Sequence, residues 1–314
     1  MQSAQEKAAH PQGIGALGFL TIVIAAGLLL LDTIPASAAT LDRIREAGKL
    51  MVGYRADARP FSFDDGSGAP IGYSVALCQK VADEVKTELG ISDLSVEWVP
   101  ITLDDRLAAL EQGKVHLLCS ADTVTLERRK EVSFSIPIYP AGIAAMLRAD
   151  SPPQLQDILS GRPPSGPIWR ASPAQILEDK TFSVVSGTRA ESWLSGRLND
   201  FQLTATVVPV ESYEAGTARI LEGTTDVFFG DRPILTEAAA ASESGSDLIV
   251  LERLFTSEPI ALTMPKNDDD FRLIVDRALS RYFQSDEFRD LYAKWFGAPD
   301  EAVLTFFRQS ALPE

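Results

Sequence analysis

The chain reads as an α/β protein with largely parallel sheets, arranged as two lobes. Strand-like runs (residues 50–54, 94–99 and 115–119) alternate with helical stretches (residues 73–89 and 103–112). The same alternation restarts near Phe182, after a proline-rich interruption. A short internal parallel links Leu110-Glu111-Gln112-Gly113 with Leu221-Glu222-Gly223. The chain has 314 residues, enough for about two cores, and its 45% apolar and 23% charged content is that of a globular protein.

The first half justifies its elements in order. Residues 41–47 form a short helix stopped by Gly48, and 50–54 a buried strand. A loop follows with Arg55, Asp57 and Arg59-Pro60-Phe61. Gly72-Tyr73 opens an amphipathic helix to about Leu89, with Val75, Leu77, Val81 and Val85 on its apolar face. Residues 94–99 alternate like a strand, 103–112 form a helix ended by Gly113, and 115–119 are again a strand.

Residues 151–172 hold Pro152, Pro153, Pro163, Pro164 and Pro167 with little periodicity, and read as a surface insertion. The second half then offers a strand at 182–185 leading into Ser186-Gly187-Thr188 and a helix with Trp193 and Leu194. A strand at 204–210, a helix at 213–222 and a strand at 227–229 follow. Residues 260–264 form another strand, and 271–282 and 286–296 two helices.

The N-terminus stands apart. Residues 14–31 are a nearly unbroken apolar run, followed by Ile34-Pro35-Ala36-Ser37-Ala38-Ala39, which has the small-x-small form of a signal-peptidase site. Residues 1–38 are expected to be a cleaved export signal, with an uncleaved membrane anchor as the rival reading. Loss of Glu6, Lys7 and Asp32 moves the net charge from −15 to −14. Such an acidic body is a poor nucleic-acid partner, and its charge serves solubility. Cys78 and Cys119, the only cysteines, read as one disulfide in an exported protein, with two buried thiols as the alternative. No metal-ligand spacing is present and no cofactor is expected. His116, the only histidine beyond the signal region, lies in a strand pattern and reads as structural.

In open α/β sheets, ligands sit beyond the carboxyl ends of strands. The segment from Cys119 to Arg128 follows such a strand. Thr123, backbone N–H groups near Ala121 and the Arg128 guanidinium can together receive a carboxylate. The alternative for Arg128 is a solvated charged face, Glu127-Arg128-Arg129-Lys130. Asp231, after the strand at 227–229, suits an ammonium group; its alternative role is to cap a helix. An anion holder in one half and a cation holder in the other imply a zwitterionic ligand such as an amino acid.

These residues resemble the periplasmic polar amino-acid-binding proteins of ABC importers, solute-binding protein family 3, nearest the glutamate/aspartate-binding branch. The resemblance runs over about residues 40–298, apart from the insertion. It is carried by Gly53-Tyr54-Arg55 with Pro60-Phe61-Ser62, Gly72-Tyr73-Ser74, Pro100-Ile101-Thr102 with Arg106, and Cys119 to Thr123 with Glu127-Arg128. Val185-Ser186-Gly187-Thr188, Gly223 with Asp231, Ser257-Glu258 and Lys294-Trp295-Phe296 continue it.

The family fold implies two α/β lobes joined by two crossing strands near Ile138-Tyr139 and Glu258-Pro259-Ile260. Lobe 1 would be 39–140 plus 262–314, and lobe 2 would be 141–261. The resemblance assigns Arg128 and Thr123, with the Ala121 backbone, to the α-carboxylate, joined by Ser186 and Thr188 from the second lobe. Asp231 takes the α-ammonium. Arg55 and Arg106 surround an acidic side chain, and Tyr213 stands where the branch often has histidine. Surface pairing of Arg55 with Asp57, and of Arg106 with Asp104 or Asp105, is the alternative. Leu103 and Ala121 stand where the branch has serine.

The expected function is that of a monomeric, periplasmic, non-enzymatic binding protein that hands an amino acid, glutamate or aspartate, to a membrane permease. Two rivals remain: a cyclohexadienyl dehydratase-like enzyme, for which Glu258 is the candidate acid, and a membrane-tethered sensor.

Overall fold

A computed structural model describes residues 39–163, 173–178 and 180–313. The expected signal segment 1–38 and residues 164–172 of the proline-rich stretch lie outside the described residues. Through the first half the chain runs α1 (Thr40–Ala47), β1 (Lys49–Tyr54), β2 (Asp57–Ala58), β3 (Ser62–Asp64), β4 (Pro70–Ile71), α2 (Tyr73–Leu89), β5 (Ser95–Pro100), α3 (Arg106–Glu111), β6 (Leu117–Thr123) and β7 (Val132–Ala141). It continues through β8 (Ile143–Arg148), α4 (Pro153–Ser160), α5 (Pro173–Leu177), β9 (Thr181–Val185), α6 (Arg189–Asp200), β10 (Thr206–Val210), α7 (Tyr213–Leu221), β11 (Val227–Asp231), α8 (Arg232–Ala241) and β12 (Leu248–Val250). It ends with β13 (Glu258–Pro265), α9 (Asp269–Phe283), α10 (Asp286–Phe296) and α11 (Glu301–Ser310).

Two five-stranded sheets organise these elements, in the orders β5-β1-β6-β13-β7 and β10-β9-β11-β8-β12. In each sheet four strands share one direction and one runs against them: β13 against β6 and β7 in the first sheet, and β8 against β11 and β12 in the second. In each sheet the fourth strand is the one that follows a crossing from the other. The parallel strands meet the sequence-based expectation; the one antiparallel strand of each sheet comes from a crossing, which no local pattern encodes.

The crossings fall closer together than expected. β7 ends at Ala141 and β8 starts at Ile143, so the outward crossing turns at Gly142 rather than at Ile138-Tyr139. The return crossing lies before Glu258, because Glu258, Pro259 and Ile260 already pair with Ala141, Pro140 and Tyr139 in the first sheet. The second lobe therefore gives up 258–261 to the first. Tyr139 is held by aromatic contacts, stacked on Tyr292 with centroids 6.1 Å apart and tilted on Phe296 at 4.5 Å.

Each sheet is covered on both faces. In the first, α2 and α9 bury Leu77, Val81, Val85, Phe271, Ile274 and Val275 on one side, and α3 covers the other with Ala109 and Leu110. Full burial of each such side chain is worth about 1.5–3 kcal/mol. In the second, Ile220 and Leu235 of α7 and α8 pack on one face and Leu194 of α6 on the other.

Several boundaries are corrected. The helix expected at 103–112 starts only at Arg106, because Thr102 and Asp105 close a turn on each other (Thr102 Oγ1 to Asp105 Oδ2, 2.7 Å). The strand expected at 115–119 starts at Leu117 and continues to Thr123, paired there with Ile260. The proline-rich stretch is not all surface insertion: α4 starts on Pro153 at its first turn and buries Leu155 and Leu159. Helices α8 and α11 were not expected.

Cys78 on α2 and Cys119 on β6 form a disulfide with Cα atoms 6.2 Å apart, so the two-thiol alternative does not hold. His116 is buried, and its Nδ1 accepts from the Met51 N–H at 3.1 Å, a structural role.

Candidate functional site

The carboxyl ends of the first lobe's parallel strands face those of the second across a cleft. Arg55 follows β1, Thr123 ends β6, Ser186 follows β9 and Asp231 ends β11. Two features show that the walls meet. A Cβ built at Gly187 would lie 3.1 Å from Asp104 Oδ1 of the first lobe. Ala56, Asp57, Leu103 and Asp104 line one cavity of about 410 Å³ together with Ser186 and Glu211 of the second lobe.

Arg128 is set apart from its charged neighbours. Glu127, Arg129 and Lys130 are exposed, and Lys130 pairs with Glu127 at 2.6 Å. Arg128 turns inward and donates to the Thr123 carbonyl at 2.9 Å. Among the described residues it forms no ion pair. Burial lowers its pKa, while the carboxylates of Asp122, Asp231 and Glu258 act in the opposite direction. One guanidinium thus lies within electrostatic reach of acids from both lobes and keeps most of its N–H donors uncommitted.

Asp231 occupies the N-cap position of α8, yet its side chain makes no capping hydrogen bond. Its backbone N–H donates to the Tyr213 hydroxyl at 3.4 Å, and among the described residues its carboxylate has no hydrogen-bond partner. Burial first, then the Glu258 carboxylate, push it up to about 7, opposed by Arg128 and Arg55. The capping alternative for Asp231 therefore finds no hydrogen bond behind it. Tyr213 is buried beside it and pushed well above its usual range by burial and the Asp231 charge.

Arg55 and Arg106 are both committed to acids of the protein. Arg55 makes a two-point pair with Asp57, Nε to Oδ1 at 2.9 Å and Nη2 to Oδ2 at 2.8 Å. Arg106 is buried, donates to the Leu103 carbonyl, and pairs with Asp122, Nε to Oδ1 at 2.8 Å. Its partner is therefore neither Asp104 nor Asp105. Asp122 Oδ2 also accepts from Ser120 Oγ at 2.6 Å and Thr263 Oγ1 at 3.3 Å. Burial pushes the Asp122 carboxyl up, but the Arg106 and Arg128 guanidiniums outweigh it and hold it below the usual carboxylate range.

The Ser186-Gly187-Thr188 loop is occupied from within. The Gly187 N–H donates to Glu191 Oε2 at 2.9 Å, Ser186 Oγ reaches Glu191 Oε1 at 3.5 Å, and Thr188 Oγ1 donates to the Val185 carbonyl at 2.6 Å. The Glu191 carboxylate takes donors expected for a ligand. Ala121 is partly exposed at the cleft end of β6, and Thr123 is buried beside it.

Sequence reasoning missed Asp122 and Arg189. Asp122 sits inside a strand where its role depends on Arg106, sixteen residues away. Arg189, at the start of α6, pairs with Glu258 of β13, Nε to Oε1 at 3.1 Å, across the lobe boundary. Glu258 Oε2 is buried without a hydrogen-bond partner, and burial raises the Glu258 pKa.

Paired α/β sheets, a double crossing and a charged cleft between strand ends set the frame for comparison. A model of the bacterial extracellular solute-binding proteins, family 3, matches residues 50–298. The chain belongs to this family. Among family relatives, it is 25% identical to the glutamate/aspartate import solute-binding protein of Escherichia coli, over 90% of this chain and 88% of that protein. The L-glutamate/L-aspartate-binding protein of Pseudomonas aeruginosa is 26% identical, over 83% and 80%. The crystal structure of an ancestral amino acid-binding protein, described as a precursor of cyclohexadienyl dehydratase, superposes with a TM-score of 0.67 at 27% identity, over 82% of this chain and all of that one.

Proposed function

We propose that the cleft captures a free α-amino acid in the periplasm and delivers it to the membrane permease of an ABC importer. The observation that carries this reading is the pairing of an inward guanidinium with uncommitted donors, Arg128, and an unpartnered carboxylate, Asp231, from opposite lobes. A zwitterion fits between them, its carboxylate on Arg128 and Thr123 and its ammonium on Asp231. Each lobe then holds one end of the ligand, so the closed arrangement binds it better than the open one and binding favours closure. Residues 1–38 serve as the cleaved export signal; an intact mass that starts at Ala39 supports this, and one that retains the segment supports a tethered protein.

Calorimetric titration of the protein, stripped of ligand by unfolding and refolding, against L-glutamate, L-aspartate, L-glutamine and L-arginine tests the reading. Binding of one of them, lost in Arg128→Ala, supports it. Absence of binding to any amino acid contradicts it.

A second reading, an enzyme on the same fold, draws on one feature: Glu258 and Asp231 are both raised in pKa within the cleft, and Glu258 Oε2 has no partner. A poised acid of this kind can donate a proton. Turnover of prephenate or arogenate supports this reading, and none at high protein concentration removes it.

A further inference from the structure

We infer that Asp122 sets the ligand class: by neutralising Arg106 beneath the cleft, it makes the site a receptor for an amino acid whose side chain is uncharged and accepts hydrogen bonds, an amide or a hydroxyl. The inference rests on the amino-acid reading above and narrows it.

Two guanidinium groups select an acidic side chain only if their charge is available to it. Here Arg106 is buried against an ionised carboxylate that is itself fixed by Ser120 and Thr263, with side-chain exposures of 8% for Arg106 and 4% for Asp122. A buried ion pair with every acceptor satisfied does not open to admit a third charge, because the displaced carboxylate would be left unpaired away from water. Arg55 is likewise neutralised, though by a half-exposed Asp57.

The charges around the cleft balance. Arg55, Arg106, Arg128 and Arg189 stand against Asp57, Asp122, Asp231 and Glu258. An amino acid with an uncharged side chain adds no net charge. Its zwitterion consumes Arg128 and Asp231, and the other six groups remain paired among themselves. An acidic side chain would add a negative charge that no cation of this group is left to match. Beside the Ser186-Gly187 loop the cleft adds three acids, Asp104, Glu191 and Glu211, while Arg59 lines the neighbouring cavity with Asp57 and Tyr213.

Neutralised guanidiniums still donate. Arg106 uses Nε on Asp122 and Nη1 on the Leu103 carbonyl, so among the described residues its Nη2 donors are uncommitted; Arg55 uses Nε and Nη2. These donors suit an amide or hydroxyl oxygen, which accepts hydrogen bonds without needing a counter-charge.

The test is a set of calorimetric titrations on the refolded protein with L-glutamine, L-asparagine and L-serine against L-glutamate, L-aspartate and L-arginine. The expected result is that one of the uncharged ligands binds at least about tenfold more tightly than either acid or arginine. In Asp122→Asn the ratio between glutamate and glutamine affinities shifts toward glutamate by about tenfold or more, a change in selectivity that a merely structural role would not produce. Preference of the wild type for an acidic or basic amino acid overturns the inference, as does an unchanged ratio in a folded Asp122→Asn. If that variant does not fold, the wild-type ranking decides alone. Failure to bind any amino acid overturns the parent reading instead, which separates the two.

Discussion

Gly142 and Thr256 touch where the two crossings run side by side. A Cβ at Gly142 would stand 2.2 Å from the Thr256 carbonyl oxygen, and the next residue, Ile143, donates its N–H to Thr256 Oγ1 at 2.9 Å. The Phe255 N–H returns a bond to the Ile143 carbonyl at 2.8 Å. The segments about which the lobes would move are thus in backbone contact. Gly142→Ala must push them apart, at a cost of about 1–3 kcal/mol. Chemical denaturation should show that loss, and small-angle scattering should show an altered ligand-free lobe arrangement. An unchanged denaturation midpoint contradicts the contact.

The second expectation concerns pH. Asp231 is pushed up to about 7 in the free protein, yet an ammonium ligand needs it ionised. Affinity should fall as pH drops through about 7, by about tenfold per unit once the carboxyl is mostly protonated, and binding near neutrality should release a proton. Glu258 is raised as well and acts in the same direction. Titrations between about pH 5.5 and about pH 8, in buffers of contrasting ionisation enthalpy, measure both effects. Asp231→Asn should bind weakly with a much flatter profile, and a flat profile in the wild type contradicts the role given to Asp231.

His116 predicts a separate effect on stability. Burial first, and then the Arg43 charge, push it from its ordinary 6.5 to about 4, and its Nδ1 must stay unprotonated to accept from Met51. Between those values the unfolded chain binds a proton that the folded chain does not. Its contribution is therefore complete above about pH 6.5 and is lost as pH falls toward about 4, on the order of 3 kcal/mol in all. Thermal unfolding followed across that window should show the loss, and His116→Asn should flatten it. Equal slopes in both proteins would remove His116 as the cause.

The disulfide offers a fourth test. Cys78 and Cys119 are separated by 41 positions, and closing such a loop restricts the unfolded chain by about 4 kcal/mol on the loop-entropy model. Replacing both by serine should lower Tm by about 10 °C. A loss below about 2 °C would show that the bridge adds little beyond the packing of α2 on β6.

What the sequence made legible follows from the range of the interactions concerned. Helix α2 was readable because its apolar spacing and the flanking Gly72 and Gly90 are local signals, and Asp286–Phe296 was placed to the residue. A strand at 260–264 was readable, but the antiparallel direction of β8 and β13 was not, since it depends on pairing between segments far apart in the chain, such as Glu258 with Ala141. Helix α4 did carry a signal, Pro153 at the first turn and apolar Leu155, Ile158 and Leu159, hidden by the surrounding prolines. Helix α11 carried one too: Asp300 caps it by accepting from the Val303 N–H at 2.8 Å. In the cleft, Arg128 and Asp231 stood out by residue type and place after strands. The fate of Arg106 did not, because Asp122 reads as one more residue of a strand until the fold brings the two together.

The proposed site holds a zwitterion at both ends. The most direct measurement compares, by calorimetry, the affinity of the refolded protein for its best amino acid with those of the N-acetylated and the carboxamide-capped forms of that amino acid. If Asp231 holds the ammonium and Arg128 the carboxylate, each cap should weaken binding by about a hundredfold or more. Equal affinity for the capped and free forms would contradict the zwitterion site and move the ligand elsewhere in the cleft.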